Sequence, residues 1–120
     1  MAYRVSFAAD TARDFELVFE FLLQSYLDFG ETVGTAIDHA EERVHAIRAD
    51  IETLAKAPHR GTLHDAVLPG LRHVTFGRAI VWFDIVEERG EVRILAIFYG
   101  GQDHVRHMLK RLLEEKPVTG

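Results

Sequence analysis

The sequence predicts an α+β domain with the element order β-α-α-β-β-β-α: a small twisted antiparallel sheet, a helical hairpin packed on one of its faces, and a C-terminal helix. Three observations predict it. A period-2 stretch at the N-terminus gives way to two long stripes of helical period. Three β-branched and aromatic runs then follow, separated only by tight turns. A last amphipathic stretch begins after a pair of glycines. The 120 residues make a single domain, 1–120, and a chain of this length buries roughly two-thirds of its unfolded surface.

In "YRVSF", Tyr3, Val5 and Phe7 alternate with Arg4 and Ser6, as in a half-buried strand. Thr11-Ala12-Arg13-Asp14 has the form of a capping box opening a helix. Phe15, Val18, Phe19, Leu22 and Tyr26 follow at helical spacing, and Gly30 is a natural stop. Leu17, Phe21 and Leu23 widen this stripe, which fits either a helical partner in the same chain or a homodimer. The second helix begins near Thr32 to Thr35. It carries Ile37, Ala40, Val44, Ile47, Ile51 and Leu54 on one stripe, and Pro58 marks its end. Two long helices joined by so short a turn must run antiparallel.

The stretch "APHRGTLHDAVLPG" has loop composition. Strands are expected over Leu71–Phe76, Ala79–Val86 and Val92–Tyr99, joined by "FGR" and "EERGE". Gly100-Gly101 ends the last strand. Asp103 can cap a helix with Val105, Met108, Leu109 and Leu112 on its apolar face, before "EKPVTG" frays.

Charge is uneven along the chain. Residues 1–57 carry a net −6 and residues 58–120 a net +1, with five of the seven histidines in the second part. The overall −5 argues against non-specific attraction to phosphate but leaves room for a local basic surface. The lack of cysteine suits a reducing compartment and excludes disulfides and thiolate metal sites. No apolar run approaches the roughly 18 residues that span a bilayer, and the expected location is cytoplasmic.

The chemistry on offer is sparse. His104 and His107 lie three apart and could share a metal with His59, His64 or His73. There is no HExxH and no acidic partner at fixed spacing, so no metal site is expected. Ser6 and Ser25, the two serines, sit in no nucleophile elbow. "YGGQD" lacks the further glycines or the GK[ST] of a phosphate loop, and no cofactor is expected. The arginines are more informative. Strand parity puts Arg93, Leu95, Ile97 and Tyr99 on one face and Ile94, Ala96 and Phe98 on the other, while Arg72 shares a face with Val74 and Phe76. With the Ile94 and Phe98 face turned to the helices, Arg72, Arg93 and Tyr99 lie together on the open face, suited to phosphate or to an acidic peptide. Surface arginines around a core tyrosine are the alternative, and spacing alone leaves both open.

Taken in order, "YRVSFAADTARD", "IETLAKAPHRGTLHD", "LPGLRHVTFGRAIVWFDI" and "VRILAIFYGGQDHVRHMLKRLL" resemble the RelE/ParE superfamily of bacterial type II toxin–antitoxin toxins over nearly the whole chain. Pro58 with Gly61, followed by the Pro69-Gly70-Leu71-Arg72 turn, matches the family's layout. The resemblance implies a cognate antitoxin protein that wraps the toxin and brings its own DNA-binding domain, so that DNA is met only through the antitoxin. It implies one of two activities. ParE-like members block DNA gyrase without catalytic residues. RelE-like members cut messenger RNA on the ribosome by metal-free acid–base chemistry. If RelE-like, the catalytic candidates are Arg72, Arg78, Tyr99 and His104, with His73 a further one; the antitoxin-binding candidates are Arg72, Arg93 and Tyr99. The ParE-like branch is favoured, because Lys110 and Lys116 are the only lysines of the second part and the net charge suits an RNA-rich cleft poorly. A non-toxic relative acting only as a binding module is a further possibility.

Overall fold

The computed structural model describes residues 3–100 and 103–114. Its elements are β1 (Arg4–Phe7), α1 (Thr11–Asp28), α2 (Val33–Glu52), β2 (Thr62–Leu63), β3 (Arg72–Phe76), β4 (Ala79–Val86), β5 (Glu91–Tyr99) and α3 (His104–Glu114). Every expected element is present. The "EKPVTG" stretch expected to fray, and Gly101, lie outside the described residues. The two-residue β2 is an addition, formed in the stretch read as loop, and is too short to show a period.

The strands form one sheet in the order β1-β5-β4-β3-β2. The β3-β4-β5 meander is antiparallel as expected, and β2 pairs antiparallel to β3. β1 instead runs parallel to β5, from Arg4↔Glu91 to Phe7↔Ile94, so the sheet is mixed. The α1–α2 hairpin makes this possible. It carries the chain across one face, so that β1 ends beside the last strand rather than the next one.

The hairpin buries Phe15, Val18, Leu22, Ala40, Ile47, Ile51 and Leu54 against Val74, Val81, Phe83, Val92, Ile94 and Ile97. On the other face α3 seals a smaller cluster of Leu71, Ile80, Trp82, Ala96 and Met108. One irregularity decides which residues reach which face. Trp82 pairs with Ala96 but Phe83 pairs with Ile94, leaving Leu95 as an extra residue. This bulge reverses the alternation of β5 at its midpoint. Ile94 and Ile97 therefore both reach the hairpin core, and Ala96 and Phe98 face α3.

Helix ends are set locally. The Gly30 amide bonds to the Leu27 carbonyl and the Glu31 amide to the Tyr26 carbonyl, with Gly30 at φ +94°, which is a Schellman stop. The Thr32 hydroxyl accepts from the Thr35 amide at 3.3 Å and caps α2. The capping box expected at Thr11–Asp14 does not form. The Thr11 hydroxyl donates to the Ala8 carbonyl, and the Asp14 carboxylate is drawn away by stronger donors on β5 and α3.

Gly61 adopts φ +85°, and a Cβ there would stand 2.2 Å from the His73 carbonyl oxygen. Gly61→Ala should therefore force β2 off β3 and lower stability by about 2–4 kcal/mol, read as a reduced urea midpoint.

Candidate functional site

β1 pairs with β5 only as far as Ile94. From Leu95 to Tyr99 the outer edge of β5 has no neighbouring strand among the described residues, and an open edge of this kind invites pairing with another chain. Two helices close over part of it. Asp14, only 2% exposed, accepts from the Ile97 amide at 3.0 Å and holds Arg111 through two bonds of 2.7 Å. Arg111 also reaches the Leu95 carbonyl at 3.4 Å. One carboxylate thus ties α1, β5 and α3 together.

Above this tie runs a groove of about 320 Å³ between α1 and α3. Leu17 and Phe21 of α1 form one wall, His107 and Arg111 of α3 the other, and Phe98 and Tyr99 lie between them. Leu17 and Phe21 are 46% and 47% exposed. Phe21 packs on Tyr99 with ring centres 5.6 Å apart, and His107 lies 5.7 Å from Phe98. Guanidinium groups cover both β5 aromatics, Arg78 over Tyr99 and Arg111 over Phe98, each at 5.5 Å. By ladder alternation the Ile97 carbonyl and Tyr99 amide point to this same edge. The groove combines an apolar floor, the Arg78 guanidinium over Tyr99 and a strand edge, features that suit an extended acidic segment with apolar anchors.

A second assembly lies on the α3 face of the sheet. His64 Nε2 and His73 Nδ1 are 2.7 Å apart. Both rings stack on Trp82, and the His104 ring sits 4.7 Å from that of His73. Burial, then the neighbouring His104 and His64, push the His73 pKa below its ordinary value. Burial and His64 do the same to His104. Among the described residues no three His, Cys, Asp or Glu could hold a metal ion.

The residues singled out by sequence are dispersed. Arg72 lies on the hairpin face and donates to the His59 carbonyl at 3.2 Å, holding the loop before β2. Arg93 lies on the opposite face in a two-bond pair with Asp84, at 3.0 and 2.7 Å. Tyr99 lines the groove with the Arg78 guanidinium over its ring, and His104 belongs to the histidine stack. The expected shared face of Arg72, Arg93 and Tyr99 is therefore not formed, because the bulge at Leu95 reverses strand parity between Arg93 and Tyr99. Of the remaining histidines, His107 lines the groove and His59 pairs with Glu87 at 3.0 Å. Asp14 and Arg111 were missed. The available signal was an acidic residue in line with Leu17 and Phe21, three and seven positions on.

This architecture is the one found in proteins of two toxin–antitoxin systems, and it places the RelE/ParE resemblance at the level of the fold. A chain of the chromosomal ParDE TA system from P. aeruginosa superposes with a TM-score of 0.62 at 17% identity, covering 83% of this chain and 98% of that one. A chain of the toxin–antitoxin complex RelBE2 from Mycobacterium tuberculosis superposes at 0.56 with 16% identity, covering 82% and 92%. No family model matches the sequence, and no curated protein matches it. Among the described residues no helix is long and apolar enough to cross a membrane.

Proposed function

We propose that this chain is the toxin of a type II toxin–antitoxin module, that a cognate antitoxin neutralises it by laying an extended segment in the α1–α3 groove, and that it poisons by binding, as a ParE-like inhibitor of DNA gyrase. The observation that supports a binding toxin is the dispersal of the candidate acid–base and cationic groups. Arg72 is engaged with a loop carbonyl, Arg78 and Tyr99 with each other, and His104 with the histidine stack. Cleavage of a phosphodiester needs such groups within hydrogen-bond reach of one phosphate. The groove, by contrast, offers about 320 Å³ beside an open strand edge.

A second reading, a RelE-like ribosome-dependent endoribonuclease, is favoured by one feature. His64, His73 and His104 do converge, and depressed pKa values keep His73 and His104 neutral and able to accept a proton.

Pulse-labelling of new DNA and new protein within minutes of inducing the chain in a bacterial host separates these readings. DNA synthesis should fail first while translation continues. Translation stopping first, with cut messenger RNA, would transfer the assignment to the nuclease. Uninterrupted synthesis of both would leave a non-toxic binding module.

A further inference from the structure

We propose that the stack of His64, His73 and His104 is an acid-released latch, which holds α3 against the sheet at neutral pH and frees it when the imidazoles are protonated. The stack joins α3, through His104, to the paired β2–β3 segments, through His64 just after β2 and His73 on β3. All three rings lie on Trp82 of β4, which is 1% exposed.

The rest of α3's hold on this face is thin. Met108 is its one fully buried apolar residue, whereas Val105, Leu109 and Leu113 are 38%, 41% and 72% exposed. Beyond the stack and Met108, Leu112 packs part-buried on the same cluster, His107 and Arg111 lie against Phe98, and Arg111 ties the far end of α3 to Asp14.

The contact between His64 Nε2 and His73 Nδ1 needs one ring to donate and the other to accept. A proton on both facing nitrogens breaks it and sets like charges against each other. Carboxylates on the adjoining elements are committed elsewhere. Asp65 accepts from the Gly70 amide, Asp84 is held by Arg93, and Asp14 by Arg111. Exposed Asp103 precedes His104, Arg72 precedes His73, and Arg106 lies two residues after His104. Among the described residues Trp82 Nε1 and His104 Nδ1 have no partner in the closed state, so opening lets both bind water.

The sign follows from the direction of the shifts. His73 and His104 are both held below 6.5, so the open state takes up protons first as pH falls. Closure is therefore fully stable above pH 6.5 and weakens progressively below it. Because His107 and Arg111 of α3 form one wall of the groove, opening would also dismantle that seat. This last consequence rests on the proposed antitoxin site, but the latch itself does not.

The test is backbone hydrogen exchange of the whole chain at about pH 7.5 and about pH 5.5, corrected for intrinsic rates, with the fluorescence of Trp82, the chain's single tryptophan, followed alongside. Protection over 104–114 should fall roughly tenfold or more on acidification, while that of α2 changes by less than about twofold. His104→Gln and His73→Gln should flatten the response of α3. Unchanged α3 protection in the wild type would overturn the latch, as would an equal fall in α2 or an undiminished fall in both variants. Should the variants not fold, imidazole titrations of the wild type by NMR decide. The α3 amide shifts should follow the midpoints of His73 and His104, and a separate midpoint overturns the proposal. Failure here leaves the toxin reading untouched, since no partner takes part in the measurement.

Discussion

Asp14→Ala should lower the melting temperature by roughly 10–20 °C, the largest stability effect expected of any single side chain outside the apolar core. The carboxylate is 2% exposed and its partner Arg111 has a side chain only 19% exposed. Removing one member of a buried pair strands the other charge, at a cost of about 3–5 kcal/mol against a total stability of about 5–15 kcal/mol. The same truncation removes the acceptor of the Ile97 amide and so reopens the β5 edge. Asp14→Asn keeps a carbonyl for that amide and should fall between the two. Arg111→Met combined with Asp14→Ala should recover much of the loss, because no charge is then left buried without compensation. The check is a double-mutant cycle by chemical denaturation. A double mutant as unstable as the sum of its singles would show that the pair is not coupled.

Asp14 also shows where the sequence ceases to be legible. Its position three residues after Thr11 is the signature of a helix cap, and nothing local distinguishes that from its actual role. The competing donors, the Ile97 amide and Arg111, lie 83 and 97 residues away. Local chemistry proposes a cap, and tertiary contacts supply stronger partners. Elements fixed by local periodicity fared differently. The α2 stripe, the Gly30 stop and the bounds of β4 were all readable, because each depends on residues within one or two turns of chain.

The candidate site was only partly legible, and one extra residue accounts for much of this. Strict alternation along β5 put Arg93 and Tyr99 on a common face. The bulge at Leu95 separates them, sending Arg93 to Asp84 and Tyr99 to Phe21 and Arg78. Nothing in "VRILAIFY" announces the bulge, since every residue of the run except Arg93 is an ordinary strand former or apolar. The histidines were seen as a group, but their membership was not. His107, near His104 in sequence, points into the groove, whereas His64 and His73, some 40 and 31 positions before His104, complete the stack.

Phe21→Glu should leave the fold nearly as stable as before and yet weaken binding of the proposed antitoxin about 100-fold or more. Phe21 is 47% exposed, so the change removes little buried area, and stability should shift by less than about 1 kcal/mol. Binding responds differently because partly exposed aromatics in a preformed groove are the usual anchors of an interface, each worth about 2–4 kcal/mol when truncated. The added carboxylate would also offset the Arg78 guanidinium over Tyr99, the arginine there that Asp14 does not already neutralise. Phe29→Glu is the matched control. Phe29 is 88% exposed at the C-terminal end of α1, away from the groove, and the same chemical change there should leave affinity intact. In cells, the Phe21 variant should remain toxic while co-expressed antitoxin no longer rescues growth. Equal affinity of the two variants would move the antitoxin to another surface. Rescue lost together with toxicity would mean that the groove also meets the cellular target, in which case the antitoxin neutralises by direct competition for one site.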